Sequence, residues 1–211
     1  MAINDYHFIT RWRVQGTIKE VTDIIADAGG LDRWWPAVYL SVTEVVPGDE
    51  QGLGKEIELY TKGWLPYTLR WRLRVSEIGE QGFTIQALGD FSGRGIWTFE
   101  QDGPWVDIVY DWKIRADKPL LRRFSFLLKP IFAANHRWAM RVGEESLNLE
   151  LARRRATSAE ERSRIPAPPP PTTTSSLPLV ASIAVALGLI YLLSRRLPGD
   201  ERTKHKARAR S

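Results

Sequence analysis

Apolar and polar residues alternate along residues 6–15, with Phe8, Thr10, Trp12 and Val14 on one face and His7, Arg11 and Arg13 on the other. A period of two predicts a strand with one side buried. Thr17 then precedes Ile18-Lys19-Glu20 at capping-box spacing, and Val21, Ile24, Ile25 and Ala28 recur at helical steps, so a helix is expected here, stopped by Gly29-Gly30. Leu31 to Trp35 predicts a second short helical turn, closed by Pro36. From residue 38 the period returns to two. Strands are predicted over 38–46, 54–62, 67–78, 82–90, 94–101 and 105–115. They are divided by Pro47-Gly48-Asp49, Gly63, Gly79 to Gly82, Gly89 to Gly93 and Asp102-Gly103-Pro104. Asp90 and Arg94 bracket Phe91-Ser92-Gly93, which reads as a hairpin tip. The alternation is strongest in Tyr67, Leu69, Trp71, Leu73, Val75 and in Val106, Ile108, Tyr110, Trp112, Ile114. Short connections between such strands imply an antiparallel meander, one face of it apolar and aromatic, which another element must cover.

That element follows in the chain. Asp117 is the expected N-cap of a helical stretch over 119–155, with Pro130 marking a kink or a break. Leu128, Phe132, Asn135, Ala139, Val142, Ser146 and Leu149 form a stripe at three- and four-residue steps. Glu144 and Glu145 are expected to be solvated or paired with Arg141. Residues 156–176 lose all periodicity, and four consecutive prolines there favour an extended, semi-rigid spacer. Residues 177–194 (LPLVASIAVALGLIYLLS) are uncharged, and Arg195-Arg196 close the run. As a helix it would measure about 27 Å at ~1.5 Å per residue, just short of the ~30 Å hydrocarbon core, so it is expected to span a bilayer. The chain thus divides into a domain over 1–155, a Pro/Thr/Ser-rich linker over 156–176, a single transmembrane helix over 177–194 and a basic tail over 195–211.

Charge sharpens this division. Residues 1–155 hold 21 Lys+Arg and 21 Asp+Glu, so the whole net charge of +5 comes from the remainder. A nucleic-acid partner is therefore not expected for the folded part, because neutralising phosphates needs a basic surface. The basic tail biases the C-terminus toward the cytoplasm, whereas the opening residues carry no secretory signal and favour a cytoplasmic domain; the two indicators oppose each other, and the second is adopted. With no cysteine, disulfides and thiolate chemistry are excluded, and His7, His136 and His205 form no ligand spacing, so neither a metal nor a cofactor is expected.

The order of strand, two short helices, six-stranded meander and long C-terminal helix resembles the helix-grip fold of the START-like superfamily, also called the polyketide cyclase/dehydrase and lipid transport (SRPBCC) group. The resemblance covers about residues 5–153. Its carriers are Leu31-Asp32-Arg33-Trp34-Trp35-Pro36, Gly52-Leu53-Gly54, Gly63-Trp64-Leu65-Pro66-Tyr67, and Asn135-His136-Arg137-Trp138-Ala139-Met140 with Gly143-Glu144-Glu145-Ser146-Leu147. It implies an α+β domain in which a curved antiparallel sheet of about seven strands wraps a long helix around an apolar cavity for a lipid, polyketide, sterol or quinone, in carriers and enzymes alike.

On that frame Trp35, Tyr67, Trp71, Trp97, Tyr110 and Trp112 point inward, with Phe132, Asn135, His136 and Ala139 facing them from the helix. Each ring alone is what ordinary core packing uses; together they suit a pocket for a flat or elongated apolar guest. Asn135 and His136 stand about 100° apart round the helix, so at most one faces the cavity squarely. His136 is either a general-base candidate or a histidine bonded to the sheet. Trp64-Leu65-Pro66 is a gate, a bilayer-touching tip or a plain turn. Three functions remain open: membrane-tethered binding or transport of a hydrophobic small molecule, a polyketide cyclase or dehydratase using His136 and a tyrosine, and a non-catalytic interaction module whose pocket is plugged by its own rings.

Overall fold

A computed structural model describes residues 4–116 and 119–173, with side chains for 4–116 and 129–173. The elements run β1 (Asp5–Gln15), α1 (Ile18–Ile25), a 3-10 turn at Ala28–Gly30, α2 (Leu31–Trp34), β2 (Tyr39–Val46), β3 (Glu56–Lys62), β4 (Thr68–Gly79), β5 (Gly82–Gly89), β6 (Phe91–Asp102), β7 (Trp105–Ala116), α3 (Pro119–Arg155) and α4 (Ala159–Arg164). The strands form one antiparallel sheet in the order β1-β7-β6-β5-β4-β3-β2. Every neighbour in the meander is also a neighbour in sequence. Only β1 closes from afar, from Asp5 opposite Arg115 to Gln15 opposite Trp105. Register shifts at Tyr39/Ser41, Glu44/Val46 and Val75/Glu77 add the local twist that bends such a sheet. The result is the seven-stranded curved sheet with one long helix that defines an α+β helix-grip architecture.

Predicted strand phases and inward faces agree. Tyr6, Trp12 and Val14 are buried on β1, Trp71 and Leu73 on β4, and Val106, Ile108, Tyr110 and Trp112 on β7. Other expectations need correction. Phe91-Ser92-Gly93 is not a hairpin tip but the start of β6, with Phe91 buried. The turn is confined to Asp90, whose backbone N–H donates to the Arg70 carbonyl at 3.0 Å while its carboxylate accepts the Arg70 N–H at 2.9 Å. This two-way bond to β4 lets the strand begin one residue later. α1 has the expected capping box, Glu20 N–H to Thr17 Oγ1 at 3.2 Å and Thr17 N–H to Glu20 Oε2 at 2.8 Å. It ends at Ile25, before the Gly29-Gly30 stop, because Asp27 leaves helical geometry (φ −74°, ψ 70°).

α3 runs through Pro130 without a break. Its expected N-cap, Asp117, and the side chain of Leu128 lie outside what the structure describes. The buried stripe of the second half is Met140, Val142, Ser146, Leu147 and Leu151 rather than one ending at Leu149, which is only half-buried. Ser146 is satisfied within the helix, its hydroxyl donating to the Val142 carbonyl at 2.7 Å. Glu144 pairs with neither solvent alone nor Arg141: its carboxylate accepts the backbone N–H of Arg13 at 3.1 Å, tying α3 to β1. At the end of α3, Arg155 donates to Glu20 at 2.8 Å and to the Gln15 carbonyl at 3.0 Å. No described helix is long and apolar enough to cross a membrane, and residues 177–194 lie outside the described set.

Candidate functional site

Between the inner face of the sheet and the first half of α3 the side chains leave a cavity of about 690 Å³. Its lining extends from Lys62, Gly63 and Tyr67 at one end of β3 to Asp49, Glu50, Gln51 and Lys55 at the other. Charged and polar groups therefore lie at the two rims, and the walls between them are apolar and aromatic.

The walls are organised as a run of rings. Tyr39 meets Trp35 with centroids 5.3 Å apart, Trp35 meets Trp12 at 5.7 Å, and Trp12 meets Trp97 at 5.5 Å. Trp97 stacks on Tyr110 at 4.0 Å, and Tyr110 on Trp112 at 5.4 Å. Trp71 and Phe91 complete the row at 6.1 and 5.8 Å from Trp112. Offset stacking and edge contacts of this kind hold each ring in one orientation, so the rings form a wall instead of collapsing into the space they enclose. Two glycines make the arrangement possible. A Cβ on Gly95 would lie 2.6 Å from the Tyr110 hydroxyl and 2.7 Å from the Trp112 ring, and one on Gly143 would lie 2.3 Å from the Trp35 ring. Bare backbone at these two points lets the indoles and the phenol lie flat.

A second aromatic group guards the rim near α3. Phe8 stacks on His136 at 4.2 Å, Tyr6 meets Phe132 at 5.9 Å, and Tyr67 meets Phe132 edge-on at 6.1 Å. Asn135 and His136 both line the cavity, and each is held by a partner from another segment. Asn135 Oδ1 accepts the Leu65 N–H at 3.2 Å, which fixes the 63–67 loop to the helix. His136 Nε2 is 3.3 Å from Thr10 Oγ1, so the sheet-bonded alternative describes it.

All ten residues singled out from the sequence, Trp35, Tyr67, Trp71, Trp97, Tyr110, Trp112, Phe132, Asn135, His136 and Ala139, lie in this one lining. Tyr39, Phe8 and Phe91 belong to the same walls and were not among them. Tyr39 opens β2 four residues after Trp35, where its i+4 spacing across Pro36 carries no periodic signal, and Phe91 was hidden by the turn-like Ser92-Gly93 beside it.

The polar inventory is short. Trp71 Nε1 donates to Thr61 Oγ1 at 3.1 Å. The Trp35 indole N–H is buried with no hydrogen-bond partner among the described residues. Burial pushes the phenols of Tyr39 and Tyr110 above their ordinary range, Tyr110 also through its neighbour Tyr39. Tyr67 is raised in the same way, mainly by burial. Burial, helped by Arg137, lowers His136 to about 4, so its imidazole is neutral at pH 7. Neutral phenols and a neutral imidazole leave the interior uncharged. Among the described residues no cluster of His, Asp and Glu is arranged to hold a metal ion.

No family model matches the chain, and no curated protein matches it in sequence. Solved structures do share the fold. A protein from Thermus thermophilus is 16% identical with a TM-score of 0.55, over 67% of this chain and 97% of that one. The ZhuI aromatase/cyclase from a Streptomyces species is 15% identical with a TM-score of 0.56, over 74% and 98%. The di-domain ARO/CYC protein of the BE-7585A biosynthetic pathway is 12% identical with a TM-score of 0.55, over 70% of this chain and 50% of that one. At these identities the likeness is one of architecture.

Proposed function

We propose that this protein is a SRPBCC-type domain that binds a hydrophobic small molecule in its aromatic cavity, and that residues 177–194 tether it to a membrane from which a lipid, isoprenoid or polyketide-like guest is taken or to which it is delivered. The observation that carries the reading is the hollow itself. About 690 Å³ remains open beneath rings that hold one another in place, a volume within the ~300–1,000 Å³ of small-molecule sites. A module plugged by its own aromatics would not leave this space. Each 100 Å² of apolar guest surface desolvated there contributes roughly 2.5 kcal/mol before the cost of association. The unpartnered Trp35 indole N–H favours a guest that carries an oxygen acceptor among its apolar atoms, because a buried donor left unpaired is costly.

A second reading, cyclisation or dehydration of a poly-keto substrate by His136 and a tyrosine, draws on the aromatase/cyclases that share the fold. The chemistry favours it less. A histidine lowered to about 4 is a weak base at pH 7, and phenols raised above their usual range are weak acids, whereas general acid–base catalysis works best with groups poised near the operating pH.

Solvent extraction and mass spectrometry of full-length protein purified in mild detergent test the first reading, together with titration by N-phenyl-1-naphthylamine. A co-purifying apolar compound that competes with saturable probe binding is the expected result. Protein that is empty and binds no probe overturns it. His136→Ala that abolishes turnover of a poly-keto substrate while leaving its affinity intact would promote the second reading.

A further inference from the structure

The proline-rich segment after α3 has the composition of a free spacer, yet the structure lays it against the domain. Ser158 caps α4, its hydroxyl accepting the Glu161 N–H at 3.1 Å. Beyond α4 the chain has no regular secondary structure, but Ile165, Pro168, Pro169 and Thr172 are half-buried while most of the residues between them are exposed. The three-residue steps from Ile165 to Pro168 and from Pro169 to Thr172 match the period of an extended polyproline strand lying on one face. Both ends of the segment are pinned. The Arg153 guanidinium donates to the Pro166 carbonyl, the Lys62 ammonium donates to the Thr172 carbonyl, and the Thr172 hydroxyl donates to the Gly63 carbonyl at 3.1 Å.

The second pin falls on the rim of the cavity. Gly63 lies so close to Asn135 that a Cβ there would be 2.1 Å from the amide oxygen, and the same oxygen holds Leu65. Strap, 63–67 loop and α3 therefore meet at the mouth lined by Tyr67, Phe132, Asn135 and His136. Ile131 is exposed beside it, and Trp64 and Pro66 are half-buried. Lys62 and Lys129 add positive charge. The opposite rim, at the far end of β3, carries three carboxylates, Asp49, Glu50 and Glu80, against one ammonium, Lys55. From Thr173, beside the basic rim, three residues lead to Leu177, a reach over four steps of at most about 14 Å.

We propose that the rim formed by the 63–67 loop and the adjoining turns of α3 is a docking surface for a bilayer with anionic headgroups, that the strap Pro166–Thr173 holds it there, and that the guest enters from the lipid phase through this mouth. The proposal rests on the cavity being a binding site and names where its ligand comes from. A chain that enters a bilayer at Leu177 cannot present the acidic rim to the same surface while the strap stays docked.

The chain has no cysteine, so a single introduced thiol reports one position. Full-length Trp64→Cys and Glu50→Cys proteins, each labelled with a nitrobenzoxadiazole fluorophore, are reconstituted into vesicles of equimolar phosphatidylcholine and phosphatidylglycerol, with and without brominated phosphatidylcholine. Ile131→Cys serves as a second position on the docking side should Trp64→Cys fail to fold. Brominated chains should quench the label at 64 or 131 about threefold or more above that at 50, since only groups inside the interface are reached. Releasing the strap with Thr172→Val and Arg153→Ala should bring the ratio toward one, with N-phenyl-1-naphthylamine binding in detergent unchanged. Equal quenching at both rims, stronger quenching at 50, or a ratio indifferent to strap release overturns the proposal. Probe binding that is lost while the quenching asymmetry persists counts against the cavity reading alone.

Discussion

The two halves of α3 face the same curved sheet and do opposite things with it. From Val142 to Leu151 the helix presents Val142, Ser146, Leu147 and Leu151, all buried, and the interior beneath them is solid with Val14, Val21, Ile24, Val106 and Ile108. From Lys129 to Ala139 no residue is fully buried, and the space opposite is the cavity. The difference does not lie in hydrophobicity, since Phe132 and Ala139 are as apolar as Val142 and Leu147. It lies in side-chain rigidity and backbone approach. Where the two ends meet, Gly143 lets the helix press onto the cavity wall at Trp35, and beyond it aliphatic side chains interdigitate. At the hollow end large rings brace one another laterally and cannot fold inward to fill the gap. The domain therefore has its solid core at one end and its hollow at the other.

Several substitutions break or sharpen this contrast. Leu147→Ala, at the solid end, should cost about 2–5 kcal/mol in denaturant unfolding, the range for a fully buried leucine, with probe affinity lost only in step with folding. Phe132→Ala, at the hollow end, should cost under about 1.5 kcal/mol because the ring already faces open space, but should weaken N-phenyl-1-naphthylamine binding several-fold. Similar stability losses for the two would erase the distinction.

Acid probes the same contrast. His136 sits at about 4 in the folded chain against 6.5 in the unfolded one, so the unfolded state binds the proton first. Stability is intact above about pH 6.5 and falls as pH drops toward 4, by no more than about 3 kcal/mol. His136→Phe, which keeps a ring against Phe8, should flatten that window in unfolding curves measured across it. Glu20, held down to about 2 chiefly by Arg155, gives a smaller and more acidic signal. The contribution is present above about 4.5 and lost between 4.5 and 2. Because the pair is well exposed, Glu20→Gln should cost under about 1 kcal/mol at neutral pH.

Much of this was legible in the chain. Strand phases could be read because a sheet with one wet face forces strict alternation, and Trp71, Trp97, Tyr110 and Trp112 fell in one lining for that reason, while Phe132, Asn135 and Ala139 followed from three- and four-residue helical steps. What could not be read depended on contacts made out of sequence. Phe91 looked like turn because glycine and serine follow it, and only the two-way bond between Asp90 and Arg70 makes it strand. His136 and Asn135 were distinguishable by helical angle but not by partner, since Thr10 and Leu65 come from distant segments. Compositional reading likewise missed α4 and the docked prolines, whose anchors are Arg153, Lys62 and Gly63.

The sheet's connectivity has a kinetic corollary. Pairs from β2 to β7 are hairpins that can zip up as they are synthesised, whereas β1 must wait about a hundred residues for β7, and α3 emerges later still. Non-local pairing of this sort is slow, because the intervening loop must first be closed. During biosynthesis the aromatic trough thus stands open on a partly formed domain, and the N-terminal strand and the last helix arrive as its final walls. A greasy compound present at that stage could be enclosed as the chain finishes folding, so the occupancy of freshly made protein would reflect where it was translated.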